Sequence, residues 1–543
     1  MTLAAYDVAA IREAEGVVLA RVPEGSLMQR AAAGLASVCL GELRARRGRV
    51  RGARVVLLVG AGNNGGDALW AGSRLAGRGV RVDALLLSSS VHAAGLAALR
   101  AAGGRSLVVA ADDLEPGRVL LARADLVVDG IVGLGGSPGL REPAATLTAF
   151  LDGLARRPVV VAVDLPSGVD ADGGTTPAPH VVADVTVTFG AAKPCLLLPP
   201  AARAAGRVVG VDIGLGPHLP PAPAVDRLEA DDVARLWPCP GPDDDKYTRG
   251  VVGVVAGSTA YTGAAVLCVG GALRAGAGMV RYVGPDHAAE RVRARWPEAV
   301  MGRGRVQAWV LGSGVDADAD ADADADVDAD TGDGQADAIL AALGEGVPAV
   351  VDAGALGVLL RYAARPLLGE RLVLTPHAGE LARLLSGWVG GAGSGGSGSR
   401  GPGRTGADDV RAAPLANARW AAELTGCTVL LKGSITVVVA PDGRCRTQAE
   451  ASPWLATAGA GDVLAGVLGT LLAAGLAPFD AAAAAAFVHG RAARAASAHP
   501  RRDQQNLHDH GGGGVVGGPI IAGDVVEALP GVVEGLLVDR SGR

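Results

Sequence analysis

The chain has 543 residues, too many for one ordinary domain, so two or three are expected. Apolar residues make up 49% and aromatic ones only 3%, which points to cores of Ala, Val and Leu, as in tightly packed helices on buried parallel strands. A formal net charge of −6 gives no electrostatic basis for binding nucleic acid, and six cysteines without a CxxC pair argue against a zinc site or a disulfide framework.

The opening, MTLAAYDVAAIREAEG, mixes acidic with apolar residues, unlike a signal peptide. No apolar run approaches the roughly 20 residues that span a bilayer, and the chain reads as cytoplasmic. Short β-branched runs then alternate with Ala-rich stretches at helical spacing. RVVLLVG (54–60), RVDALLL (81–87), ADLVVDG (124–130), PVVVAVDLP (158–166) and DVTVTFG (184–190) read as buried parallel strands, with crossover helices such as GGDALWAGSRLAGRG (65–79) between them. This alternation predicts an α/β sandwich.

The Pro-rich stretch GPHLPPAPAVDRL breaks the pattern, and residues 219–227 within it are the expected linker between a domain over 1–218 and another over 228–543. A second α/β series follows, with strands expected at 250–257, 308–314, 349–354, 371–376 and 428–433. Two Ala-rich helices, 462–475 and 480–496, close it. Three low-complexity inserts interrupt this half: an Asp-Ala repeat (315–330), a Gly/Ser run (390–406) and a His/Gly-rich stretch (508–518). The repeat lacks the glycine turn and closing glutamate of a calcium loop, and no spacing supports metal binding by His508 and His510. All three read as solvated loops.

In the first half, GAGNNGGD (60–67) joins a strand to a helix and satisfies G-x-G-x-x-G through Gly60, Gly62 and Gly65. Glycines allow the sharp turn, and exposed N–H groups at a helix start attract phosphate. Asn63, Asn64 and Asp67 supply more side-chain chemistry than such a cradle requires. Further polar residues stand at Asp129 and at Asp164 with Ser167, where parallel strand ends converge on the ligand-binding edge. Each carboxylate could singly be a helix cap, but three successive junctions repeat the arrangement.

NNGGD, VVDG…REP, VDLPSGVD and VTVTFGAAKP together resemble the epimerase half of the NAD(P)H-hydrate repair proteins, whose bifunctional members fuse an epimerase to a dehydratase. The resemblance implies a Rossmann-like domain with potassium held by Asn64, Asp129 and Ser167, oxygen ligands suited to a hard cation. It implies substrate contacts from Asn63, Asn64, Gly65, Gly66 and Asp67, from Gly133, Leu134, Gly135, Gly136, Ser137, Pro138 and Gly139, and from Asp164. Asp164 is the expected acid/base of the epimerase, with Lys193 as candidate partner or as a structural salt bridge. Two positions depart from the family: Leu134 replaces the Thr of its G-T-G, and Ala68 replaces the Gly after its aspartate.

In the second half, the turn Gly459-Ala460-Gly461-Asp462 precedes an apolar helix. Its glycines let a phosphate approach the backbone, and a helix start favours negative charge. A carboxylate there would repel the phosphate unless it has a task, and taking the proton of an attacking hydroxyl is such a task. His377 at a strand-to-helix turn, Glu380 in the following helix and Lys432 between two strands are further candidates, each with a plain structural alternative. TPHAGELARLL, LKGSITVV and ATAGAGDVLAG, in this order, resemble the nucleotide-dependent NAD(P)H-hydrate dehydratases of the ribokinase-like superfamily. The resemblance implies nucleotide contacts from Lys432, Gly433, Ser434, Ile435, Thr436 and Gly461, and contacts to the hydrated nicotinamide nucleotide from Ala264, Gly314, His377 and Asp462. The expected donor is ADP with magnesium at its phosphates, giving AMP and phosphate, and the expected assembly is a homo-oligomer. GSGVD (312–316) stands for the family's G-P-G-L-G, and DAGAL (352–356) for its D-A-D-A-L.

These readings converge on interconversion of R- and S-NAD(P)HX and ADP-dependent dehydration of the S epimer to NADH or NADPH. Two alternatives stay open. A ribokinase-like kinase of a vitamin precursor would use the same glycine turn, and a dinucleotide-binding protein or a dehydratase with an inactive epimerase half would account for Leu134.

Overall fold

The computed structural model describes residues 3–110, 112–315, 334–362, 368–390, 405–498 and 517–541. The three low-complexity inserts, with His508 and His510, lie outside the described residues apart from their ends. The chain divides into two compact units, one over residues 4–225 and the other running from residue 226 to the carboxy-terminal helix. Among the described residues no helix is long and apolar enough to cross a membrane.

The first unit is a seven-stranded, all-parallel sheet in the order Arg105–Val108, Arg81–Leu86, Arg54–Val59, Leu126–Gly130, Val159–Val163, Val185–Phe189, Arg207–Val211. Helices cover both faces, so the central strands are buried throughout and read as unbroken Val/Leu runs. The strand order reverses between Arg54–Val59 and Leu126–Gly130. Such a reversal opens a crevice at the carboxyl ends of the strands, and helix Asn63–Ala76 starts there.

The second unit carries a mixed sheet. From Val225–Arg227 it runs through Cys445–Gln448, Thr436–Val439, Thr428–Leu431, Leu372–Leu374, Ala349–Val351, Ala308–Leu311, Val251–Val255 and Met279–Val283 to Val300–Met301. Thr428–Leu431, Thr436–Val439 and Cys445–Gln448 pair antiparallel, and the strands from Thr428–Leu431 to the Val300–Met301 edge pair parallel. The expected linker therefore needs correction at its end: Asp226 pairs in register with Arg446, whose Nε donates to the Asp226 carboxylate at 2.9 Å. Those last residues have ladder and ion-pair partners, so they form a strand rather than connecting chain.

The core of this unit is built from small residues. Helices Thr262–Arg274 and Ala460–Ala473 cross so closely that a Cβ at Gly271 or Gly466 would overlap the opposing backbone, at Val463 and Cys268 respectively. Ala481–Ala486 of helix Pro478–Ser497 are all buried. Several expected strands are shorter than read. Those expected to end at 314, 354, 376 and 433 stop at Leu311, Val351, Leu374 and Leu431. The residues beyond turn away from the ladder and carry the polar groups described next.

Candidate active sites

In the first unit the strand ends at the crevice hold a cluster of oxygens. Asp129 is fully buried, and its carboxylate accepts from Ser167 Oγ at 2.6 Å and from the Ser167 N–H at 2.8 Å. Ser167 Oγ in turn accepts from the Val132 N–H at 2.9 Å. Asn64, in the first turn of its helix, donates through Nδ2 to the Val163 carbonyl at 2.7 Å. That leaves its Oδ1 facing Gly133, where a Cβ would overlap it. No Lys, Arg or His pairs with Asp129 among the described residues, and burial pushes its pKa up to about 6 against its hydrogen bonds to Ser167 and Ile131. A buried carboxylate among neutral oxygens is costly without a counter-charge. The carboxamide, carboxylate and hydroxyl oxygens present are of the type that could hold a hard cation.

Beside this cluster, Asp164 follows strand Val159–Val163 with φ 69. Lys193, 1% exposed, donates to Asp164, to Thr188 Oγ1 at 3.0 Å and to the Phe189 carbonyl at 3.1 Å, so all three ammonium hydrogens have acceptors. Two further carboxylates surround the pair. Asp67 is buried with an unpartnered Oδ1, and burial, then Asp164 and Glu15, hold it well above the usual carboxylate range. Glu15, on helix Val8–Leu19, is raised by burial and then by Asp164. Arg12 of the same helix donates to the Leu134 carbonyl at 3.1 Å. Leu134 itself packs against two apolar clusters, so the side chain that replaces threonine has an apolar seat. Ala68 lies against Gly130, which leaves room for its methyl group. Asn63 and residues 135–138 are exposed at the rim.

In the second unit four neighbouring parallel strands end in polar residues: Ser313, Asp352, Thr375 and Lys432. Asp352 accepts from Lys432 Nζ at 2.7 Å and from Thr375 Oγ1 at 2.8 Å. Lys432 opens the hairpin loop 432–435, and Glu380 Oε2 lies 3.7 Å from its ammonium. Burial disfavours the charge on Lys432, but Asp352 and Glu380 outweigh it and hold its pKa above the usual lysine value. A Cβ at Gly461 would lie 3.5 Å from Lys432 Nζ, which puts the ammonium at the start of helix Ala460–Ala473. Asp462 sits in that first turn. Burial, then the charge of Asp352, pushes its pKa up to about 7, against the pull of Lys432 and a hydrogen bond with Ser313.

His377 takes a reciprocal capping role. Its N–H donates to Glu380 Oε2 at 2.7 Å, and its Nδ1 accepts from the Gly379 N–H at 3.0 Å. The side chain is 55% exposed, with Nε2 turned outward 3.5 Å from Glu380 Oε1, and burial lowers its pKa. Main-chain pairing joins His377 to Lys432. Gly314 and Ala264 abut, since a Cβ at Gly314 would overlap the Ala264 methyl. The two departures in this half fit one another: the Val315 carbonyl of GSGVD fills the space that a Cβ at Gly354 of DAGAL would need.

The expected site residues thus gather in two places. Ser434 and Gly433 are exposed on the hairpin, with Ile435 and Thr436 half-buried behind them. Sequence reasoning missed Glu15, which reads as a surface charge of an amphipathic helix, and Asp352, Thr375 and Ser313, whose partners are far apart along the chain. A polar residue just beyond each apolar run was the available signal. Among the described residues no group of three His, Cys, Asp or Glu could hold a metal ion. A nucleotide-borne magnesium needs no such cage, because phosphate oxygens and water can supply most of its ligands. A lysine, a helix start and a carboxylate tuned near neutrality can bind a phosphate chain and deprotonate an alcohol beside it.

The NAD(P)H-hydrate dehydratase family model matches residues 252–510, and the model described as YjeF-related protein N-terminus matches 24–195. The bifunctional NAD(P)H-hydrate repair enzyme of Mycobacterium leprae is 46% identical over 507 residues, 91% of this chain and 94% of that one. Its counterpart in Mycobacterium tuberculosis is 46% identical over 488 residues, 88% and 91% of the two chains. The solved ADP/ATP-dependent NAD(P)H-hydrate dehydratase from Bacillus subtilis, co-crystallised with ATP/Mg2+, aligns with 57% of this chain and 98% of that one, at 22% identity and a TM-score of 0.42. With both halves matched and nearly the full length shared, this chain belongs to the family of bifunctional NAD(P)H-hydrate repair enzymes, its epimerase domain first and its dehydratase domain second.

Proposed function

We propose that the second site phosphorylates the C6 hydroxyl of S-NAD(P)HX from ADP, with Asp462 as the general base. The hydroxyl oxygen attacks the terminal phosphorus of ADP, its proton passes to Asp462, and AMP leaves with the bridging electron pair. The ring nitrogen then expels phosphate, which leaves far more readily than hydroxide. Loss of a C5 proton restores the reduced nicotinamide. Lys432 and the N–H groups at Gly461 bind the phosphates, and magnesium carried on the nucleotide would offset their charge. Asp462 in the first turn beside Lys432, with its pKa near 7, is the observation that carries this reading.

The first site would interconvert the R and S hydrates, with Asp164 and its Lys193 partner at the nicotinamide and residues 63–67 and 133–139 around the rest of the dinucleotide. Asn64, Asp129 and Ser167 would hold potassium, whose positive charge supports the buried Asp129 and fixes the loops that carry the substrate contacts. The decisive experiment incubates the chain with hydrated NADPH and ADP and follows the absorbance of the reduced ring. Recovery from both epimers supports both assignments. Recovery from S alone would mark the epimerase as inactive, and no recovery would favour kinase action on another alcohol.

A further inference from the structure

Asp352 has no part in the chemistry above, yet it ties the second site together. It is 2% exposed, and its Oδ2 lies 3.4 Å from Ser313 Oγ in addition to the Lys432 and Thr375 contacts on Oδ1. With its own strand Ala349–Val351, these partners follow four consecutive strands of the sheet, so one carboxylate fastens four strand ends. The backbone just beyond is strained: Ala353 has φ 44 and ψ −117, a region that L residues rarely occupy. The adjoining glycines, 312 and 354, are closed in by backbone.

We propose that Asp352 is a positioning residue for phosphoryl transfer, holding the Lys432 ammonium between itself and the start of helix Ala460–Ala473 so that Lys432 does not pair off with Asp462. Lys432 alone would pair with Asp462 and weaken it as a base. Shared with Asp352 and Glu380, the ammonium stays within reach of the phosphates without neutralising the base. Among the described residues, the other groups named around Asp462 carry no competing charge. Ser313 is a neutral hydroxyl, Cys268 on the crossing helix is held as a thiol by burial, and His489 on helix Pro478–Ser497 is held neutral by burial, its pKa lowered to about 4. His377 at the neighbouring strand end is likewise disfavoured as a cation.

This inference rests on Asp462 being the base of the dehydratase. The test is Asp352→Asn in the full chain, with S-NADPHX and ADP, reading kcat/KM against pH. A like charge nearby raises a carboxyl pKa, so its removal lowers that of Asp462, and a freed Lys432 lowers it further. The acid limb should move down by about one pH unit or more, and the KM for ADP should rise roughly tenfold as Lys432 loses its anchor, the size of one charged hydrogen bond. Asp352→Glu should return the limb towards its original position. An acid limb that stays in place while activity falls at every pH would overturn the proposal, because lost packing alone does that. Carboxyl-carbon NMR of Asp462, assigned by difference from Asp462→Asn, reads the same shift if turnover is too slow to profile. Failure of the wild-type chain to dehydrate S-NADPHX with ADP would instead overturn the underlying reading.

Discussion

Asp164 and Ala353 are the non-glycine residues with positive φ among the described residues, one in each site, at or next to a buried carboxylate. Such conformations cost of order 1–3 kcal/mol and persist where their surroundings over-determine them. Replacing Asp462 with Asn should leave ADP binding near normal by calorimetry and lower dehydratase turnover roughly 10²–10⁴-fold, the range for loss of a general base. The pH dependence follows in sign. Asp462 acts only when ionised, and its pKa is about 7, so dehydratase kcat/KM should fall as pH drops through that value. A profile flat across that range would show that another group takes the proton. Asp462, Lys432, Asp164 and Asp129 were legible in the sequence because each is a lone ionisable residue just past an apolar run or in a glycine turn. Asp352 has the same placement, but its meaning depends on partners up to 80 positions away. Glu15 is hidden for a different reason: one helical charge looks like another until the strand ends that face it are known.

At the scale of elements, the second site depends on two helices that approach backbone to backbone at Gly271 and Gly466. Gly466→Ala would drive a methyl group into the Cys268 carbonyl. It should cost about 1–3 kcal/mol of stability, as overpacking does, and displace the helix that starts at Asp462. Denaturant unfolding together with dehydratase assays of the variant should show both losses while the epimerase rate holds. Equal losses in the two activities would mean that the effect is not local. The central strands of both sheets were readable because strands covered on two faces become continuous Val/Leu runs. Arg105–Val108 and Arg207–Val211 were not, since these edge strands are largely half-exposed and carry Arg, Ser and Gly. The strand ends were over-read for a different reason: the residues after Leu311, Val351 and Leu374 (Gly-Ser-Gly, Asp-Ala-Gly and Thr-Pro-His) follow each apolar run directly but leave the ladder to form site loops. The paired departures at Gly354 and Val315 show why a motif mismatch judged alone can mislead, as each makes room for the other.

At the scale of the whole molecule, each unit carries its own site, so the two activities should be separable by point mutation. Asn64→Ala or Asp129→Ala should abolish the potassium response of the epimerase and leave dehydration of the S epimer unchanged. An unaltered potassium response in both variants would remove these residues from the cation site. The α/β architecture of both halves follows from composition and periodicity, whereas the mixed sheet of the second unit and the strand at Val225–Arg227 depend on pairings between distant segments. The most direct measurement supplies the intact chain with both hydrate epimers and ADP and follows the reduced-nicotinamide absorbance, beside a parallel run of Asp462→Asn. Complete recovery by the wild type and almost none by a variant that still binds ADP is the expected result. Recovery by the variant at close to the wild-type rate would contradict the role of Asp462 on which the second site is built.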